Sequence, residues 1–404
     1  MASPKSIITA LDSMWTTCCI ILKRFQREAL NKRETLMVQI YDYLIVGAGL
    51  FGCTCAERLK NAGHSVLVID KNGFIGGACA TKKVDGINVH RFGAHIFRTD
   101  REEVFSYVNR FSVFNHYINQ VIAISHGRAY NLPFNMNTFC QVFQGKVLTP
   151  AQAQELIASE RLRLDREPRN LEEQALSLVG GTLYHSLIKE YTEKQWGKPC
   201  HSLPPDLMRR IPIRFTFDNN YYNARFQGIP IGGYSLMMAR MLEGCDVILD
   251  TDYLHNKEKW SRRARKIIFT GPIDEYFGYR FGALEYRGLK FVEREYDCSN
   301  FQGNAVINWS DKEVPYTRTI EHKFFENATT DKTIVSYEYP MVWKKGDYPF
   351  YPINDETNMS LLSKYLELAS LEPNVCFGGR LGSYRYFDMQ DTIISALDLC
   401  EGLL

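Results

Sequence analysis

Apolar and polar positions change period from one region of the chain to the next. YDYLIVG, from Tyr41, is a short, unbroken, β-branched run, the pattern of a parallel strand buried on both faces. Cys55, Ala56 and Leu59 then recur at helical spacing, and Gly63 stands where that helix would stop. SVLVID (65–70) is a second buried strand, so the order predicts a βαβ unit. Residues 150–210 read as helices: LEEQALSLVG and LYHSLIKEYTEKQW carry apolar residues at i, i+3/i+4, Pro204-Pro205 interrupts, and a further short helix is expected to run to Arg210. Over 211–222 and again over 284–339, strand-like runs alternate with turns and predict an antiparallel sheet. KIIFTGP (266–272) and NVCFGGR (374–380) are further buried strands running into glycine turns, and a helix of about 390–399 closes the pattern.

Composition narrows the class. The chain has 404 residues, 45% of them hydrophobic and 23% charged, enough for two or three domains with real cores and too apolar for global disorder. A formal net charge of +2 excludes the basic excess of a dedicated nucleic-acid binder. Aromatic residues, 13% of the chain, mostly predict thick core packing, with some left for stacking surfaces. The 11 cysteines form no CxxC pair, zinc spacing or disulfide framework, so free thiols in a reducing compartment and no metal site are expected. No apolar run reaches the roughly 20 residues that span a bilayer, and MWTTCCIIL (14–22) has its basic residues after it, unlike a secretory signal. A soluble, cytoplasmic protein is expected. Residues 1–36 could form one basic amphipathic helix from about residue 13. They read first as sequence upstream of a start at Met37, and otherwise as a disordered extension or a membrane-surface or partner helix.

The chemistry begins at Gly47-Ala48-Gly49-Leu50-Phe51-Gly52, a GxGxxG between a strand and a helix. Gly47 permits the tight turn, Gly49 the approach of backbone to a pyrophosphate, and Gly52 close helix–strand contact. The first helical residues, Leu50 and Phe51, would offer free N–H groups and the positive dipole end to phosphate. Asp70, followed by Lys71, closes the second strand 18 residues after Gly52, where an acid can accept from ribose hydroxyls. Gly76-Gly77 allows a second close approach, to a longer cofactor, and so favours FAD over NAD. Gly379 and Arg380 would meet the pyrophosphate again. The helix after Asp388-Met389 could point its positive end at the flavin pyrimidine and stabilise an anionic reduced ring. The expected fold is α/β: a discontinuous Rossmann-like FAD-binding domain (37–112, 231–282 and 350–404) with an inserted helical domain (135–210) and an antiparallel β-sheet domain (113–134, 211–230 and 283–349).

VGAGLFG, FGAHIF, NLPFNMNTF, YTEKQWG, RRIPIRFTFDNNYY, FQGIPIGGY, GPIDEYF, VPYTRTIEHK, EYP and GGRLGSYRYFDM, in this order, resemble the UDP-galactopyranose mutase family, most of all its bacterial form. The likeness runs over about nine-tenths of the chain. It implies a redox-neutral isomerase working on reduced FAD, with flavin N5 as nucleophile on the anomeric carbon of UDP-galactose. Such an enzyme needs no Ser-His-Asp or paired-carboxylate machinery, because the cofactor carries the hard chemistry. By residue match, Arg210 and Arg318 fall on the phosphate-binding arginines, whose planar fork suits phosphate. Tyr191 and Trp196 fall on the uridine pocket, and Tyr221, Tyr339 and Tyr386 on tyrosines around phosphates and sugar. His95 falls beside the flavin and Asn119 near the sugar. The resemblance further implies a homodimer and a galactofuranosyltransferase downstream, in cell-surface polysaccharide synthesis. One departure stands out: HIFHT reads HIFRT here, with Arg98 in place of the second histidine. The rival readings are an FAD-dependent oxidoreductase of the amine-oxidase kind, which would share the nucleotide domain, and a cofactor-binding module without catalysis.

Overall fold

The computed structural model describes residues 39–147, 149–208 and 212–404. The extension 1–36 and Arg210 lie outside them. Among the described residues a parallel sheet of five strands runs in the order Val375–Phe377, Ala264–Phe269, Tyr41–Val46, Val66–Ile69, Asp246–Ile248. Tyr41–Val46 pairs Tyr43 with Val66 on one side and with Lys266 on the other. Leu44, Ile45, Leu67, Val68 and Ile69 are fully buried, each worth about 1.5–3 kcal/mol relative to exposure. That is why these runs lack any polar alternation. The helix Leu50–Asn61 covers one face, and Gly63, at φ +92°, lets the chain turn out of it. The last helix, Met389–Glu401, packs beside it through Cys55, Ala396 and Cys400.

A second sheet has the order Tyr351–Pro352, Tyr286–Tyr296, Thr333–Val342, Arg318–Glu321, Val306–Trp309, Val121–Ser125, Arg128–Leu132. Its pairs are antiparallel except Val306–Trp309 against Val121–Ser125, which run parallel. Between residues 136 and 196 lie the helices Met136–Val142, Pro150–Glu160, Leu171–Leu183 and Lys189–Trp196 around their own apolar core. Asn135 and Thr149 open the first two with reciprocal capping boxes.

Three expectations need correction. Of the strand predicted over 211–222, none forms in the described residues 212–222: Ile213 makes one isolated bridge to Phe134, and the next strand is Phe226–Gly228. Arg214 holds the intervening chain instead, donating to the carbonyls of Asn220 and Tyr222 and to the side chain of Asn223, so the backbone has partners without a ladder. The helix expected to run to Arg210 is a single 3₁₀ turn, Pro205–Leu207, in the described part. Prolines 204 and 205 suit its start, and a proline at 212 resists its continuation. The LYHSLIKEYTEKQW helix is also interrupted, by a π turn over Tyr184–Ile188 that follows the kink at Gly180.

Candidate active site

The glycine motifs meet at the carboxyl edge of the parallel sheet, where ligands of such sheets bind. Gly52 sits so close to the preceding turn that a Cβ would lie 2.0 Å from the Gly47 carbonyl oxygen. Gly76 donates its N–H to the Ala48 carbonyl at 2.9 Å, and a Cβ on Gly77 would lie 2.9 Å from the Gly49 Cα. Two bare backbone segments therefore line one trough, which any side chain would fill. This is the shape a pyrophosphate needs, and the residues present fit a dinucleotide such as FAD. Leu50 and Phe51 bury their side chains, so their contribution to a ligand is the backbone at the helix start. The Phe51 ring occupies the space that a side chain at Gly378 would take, and it packs against Gly379.

Asp70 is buried at the end of its strand, with Oδ2 accepting from the Ala48 N–H (2.7 Å) and Oδ1 from the backbone and side chain of Asn72 (2.7 and 2.9 Å). Burial raises its pKa, against those hydrogen bonds. The carboxylate thus braces the glycine turn itself. Lys71 is exposed, 4.0 Å from Glu275. Arg380 donates to the carbonyls of Phe350 (3.1 Å) and Phe387 (2.6 Å). Its Cζ lies 5.5 and 5.4 Å from the ring centres of Tyr351 and Tyr386. Asp388 caps the last helix by accepting from the Asp391 N–H at 3.0 Å, and Met389 packs into the core below.

A cation–aromatic cluster is built around the second sheet, and its Arg318 comes near His95 and Tyr351, as Arg380 does from this edge. Arg318 lies 3.6 Å from Glu338, an acid only 3% exposed, and donates through Nε to Asn308 at 3.4 Å. Burial pulls the Arg318 pKa down, but Glu338 and the Tyr191 phenol beside it more than offset that. Tyr191 reaches this cluster from the helix Lys189–Trp196. Lys194, on the same helix, donates to the carbonyls of Trp309, Asp311, Val314 and Tyr316 at 2.6 to 3.0 Å and so staples the helix to the turn that leads into Arg318. Burial lowers the Lys194 pKa to about 8.

Tyr221 packs edge-on to Tyr222 (5.4 Å between ring centres), with its backbone N–H on the Asn119 carbonyl at 2.8 Å. Burial pushes the Tyr221 phenol up to about 12. Asn119 is buried and accepts from the Tyr117 hydroxyl at 3.3 Å, which places it behind the tyrosines. His95 donates from Nδ1 to the Gly93 carbonyl at 2.9 Å, since a carbonyl can only accept; its Nε2 therefore keeps a lone pair. Burial lowers its pKa to about 4, and Arg380 and Arg318 push the same way.

The structure brings Arg318, Tyr191, Tyr221, Tyr386, Arg380 and His95 to one region. It does not bring Tyr339 there. Successive residues of Thr333–Val342 point to opposite faces: Glu338 turns to Arg318, while Tyr339 packs on Tyr316, 5.8 Å between ring centres. Trp196 turns toward the helical core and Arg287, whose Cζ lies 5.5 Å from its ring. Sequence reasoning passed over Glu338, although it stands in the EYP segment, and Tyr351, which stacks on Tyr386 at 5.8 Å. Neither an acid beside an arginine nor one tyrosine among 23 carries a motif.

Comparison with known proteins bears on this arrangement directly. A family model described as UDP-galactopyranose mutase matches residues 186–386, which span Tyr191, Arg318, Glu338 and Tyr386. A model for an NAD(P)-binding Rossmann-like domain matches residues 45–111, across the glycine trough. A Klebsiella pneumoniae protein named probable UDP-galactopyranose mutase is 38% identical over 90% of this chain and 94% of its own length. An Escherichia coli dTDP-fucopyranose mutase is 36% identical over 89% of this chain and 97% of its own. The crystal structure of a reduced UDP-galactopyranose mutase, 14% identical, superposes over 91% of this chain and 94% of its own with a TM-score of 0.71, a likeness of fold. With nearly the whole length matched at more than a third identity, and the trough and the Arg318 cluster both inside the matched segments, the chain belongs to the UDP-galactopyranose mutase family.

Proposed function

We propose that this protein interconverts UDP-galactopyranose and UDP-galactofuranose, without net redox change, on a reduced FAD held at the glycine trough. The observation that carries this reading is that Arg318, Tyr191 and Tyr221 share one cluster, and that Arg318 and Arg380, the latter next to Gly379, both lie near enough to His95 to act on its charge. When bound and reduced, the flavin supplies the nucleophile, N5. The protein has to hold the nucleotide, orient the sugar and stabilise the departing pyrophosphate.

Arg318 binds phosphate by leaving or sharing Glu338, so charge is in place before the substrate arrives; Arg210 is the second phosphate ligand in this reading. Tyr191 stacks on uracil, and the Tyr221 hydroxyl, protonated at neutral pH, donates to substrate oxygen. His95 is neutral at neutral pH, and with Nδ1 on the Gly93 carbonyl its Nε2 is left as an acceptor. In the same reading the protein works in the cytoplasm as a homodimer and supplies a galactofuranosyltransferase. Among the described residues no helix is long and apolar enough to cross a membrane. The amine-oxidase reading shares the fold and has no use for a phosphate-binding arginine.

The test is incubation of the dithionite-reduced holoprotein with UDP-galactofuranose, and separately with dTDP-fucopyranose, with products read by HPLC. Conversion of the UDP-sugar under reducing conditions, and none in the oxidised protein, is expected. Faster turnover of the dTDP-sugar would reassign the substrate, and turnover of neither would overturn the mutase reading.

A further inference from the structure

Arg98 replaces the second histidine of the HIFHT segment, and its surroundings assign it work at the cofactor. It lies on the short strand Phe97–Thr99, which pairs with Phe226–Gly228. Its Nη2 is 3.4 Å from Oδ2 of Asp388, and its Cζ lies 4.6 Å over the ring of Tyr222. The next residue, Thr99, hydrogen-bonds Gln390. Two consecutive residues thus fasten this strand to the start of the 13-residue helix Met389–Glu401.

That helix start lies at the carboxyl edge of the parallel sheet. Its far end reaches the beginning of the first strand, where the Leu403 carbonyl meets the Tyr43 hydroxyl, so its N-terminus lies at the other end, beside the glycine trough. A helix start carries roughly half a positive charge. Asp388, the capping residue, brings a full negative charge to it and by itself would reverse the local sign. Arg98 restores it. The tyrosine face beneath the guanidinium favours a planar cation there.

We propose that Arg98 is a positioning residue of the flavin site: by neutralising Asp388 it keeps this helix start electropositive and thereby favours the anionic reduced flavin over the neutral oxidised one. The inference rests on the flavoenzyme reading above. Reduction adds two electrons and one proton to a neutral ring and leaves one negative charge, with dithionite as reductant in the test. A histidine at 98 would be only partly charged at neutral pH, so the exchange alters the poise of the cofactor.

The experiment is the two-electron midpoint potential of the FAD-loaded protein at pH 7, by equilibration with a reference dye, for the parent, R98M, R98K, D388N and R98M/D388N. Asparagine caps helices as well as aspartate, so D388N removes charge and keeps the cap. R98M is expected to shift the oxidised-to-reduced ratio at fixed poise at least tenfold toward oxidised, about 30 mV for a two-electron couple. R98K should keep most of the parent value, D388N should move the other way, and R98M/D388N should return to within about threefold of the parent. A parent-like potential in R98M overturns the proposal. So does a double variant as low as R98M alone, because a merely structural role would not be rescued by removing the Asp388 charge. If R98M fails to fold, an unmoved potential in D388N overturns it. Parent protein that takes up no FAD overturns the flavoenzyme reading instead.

Discussion

The two halves of the site are built by opposite means. The nucleotide trough is backbone: glycines whose missing side chains leave room, braced by Asp70 on the Ala48 N–H. The rest of the site is side chains, and its cations have partners before any ligand comes: Arg318 with Glu338, Arg98 with Asp388, Arg380 with two carbonyls. A backbone trough has one way to fail, by being filled. A pre-paired cluster can lose one member and keep its shape, because what it loses is a charge balance. Steric changes should therefore be all-or-none on the first side and graded on the second.

The largest effect is expected at Gly52. Gly52→Val must displace the Gly47 carbonyl, 2.0 Å from where the Cβ would stand, so the trough cannot keep its form. FAD content per chain after reconstitution, read by absorbance, should fall to background. A yellow, stoichiometric Gly52→Val protein would show that backbone closure does not limit binding.

Arg318 tests the graded side. Charge-assisted hydrogen bonds are worth about 1.5–3 kcal/mol, so Arg318→Ala should weaken UDP binding roughly 10- to 150-fold by fluorescence anisotropy, with a larger loss in turnover. Arg318→Lys should recover part, keeping charge without the bidentate fork. The flavin spectrum should stay normal in both. Arg210→Ala is expected to behave alike. Parent-like affinity and turnover in both alanine variants would remove phosphate binding from these residues.

The smallest effect sharpens the seam between the two regions, where His90 and His322 are buried and His95 is half-buried. The His95 backbone N–H donates to His90 Nδ1 (3.1 Å), the His90 backbone N–H to His322 Nδ1 (3.2 Å), and His322 Nε2 meets the Ser336 hydroxyl at 2.7 Å. Burial lowers all three: His90 well below its ordinary value, His95 to about 4 and His322 to about 3. The unfolded chain takes up these protons near pH 6.5 and the folded chain does not. Their contribution is therefore complete above about pH 6.5 and lost as pH falls toward 4 and 3, by up to about 1.4 kcal/mol per pH unit for each ring. Asp70 and Asp388, whose pKa values burial raises, act in the opposite sense. The readout is thus the difference between parent and His322→Asn: between pH 7 and 5 the parent Tm should fall more steeply. Equal slopes would show that His322 is protonated in the fold at no cost.

Much of the fold was legible because its signals are local. The βαβ opening, the turn at Gly63 and the last helix follow from runs and periods within a dozen residues, and a glycine that must admit backbone is visible as a glycine. The segment 211–222 misled for the same reason: β-prone residues read as a strand, but Arg214 satisfies that backbone from within the loop.

By itself the amino-acid order determined the strands and helices, the glycine trough and its suitability for a long dinucleotide, and, through the order of its motifs, the kinship. Tertiary structure decided which polar side chains meet. Glu338 reaches Arg318 and Tyr339 does not because alternate residues of one strand face opposite ways, and register against Arg318–Glu321 sets which is which. Arg98 meets Asp388 across 290 positions of chain. Such pairings depend on the packing of distant elements, and charge, unlike hydrophobic period, leaves no pattern along the sequence to announce its partner.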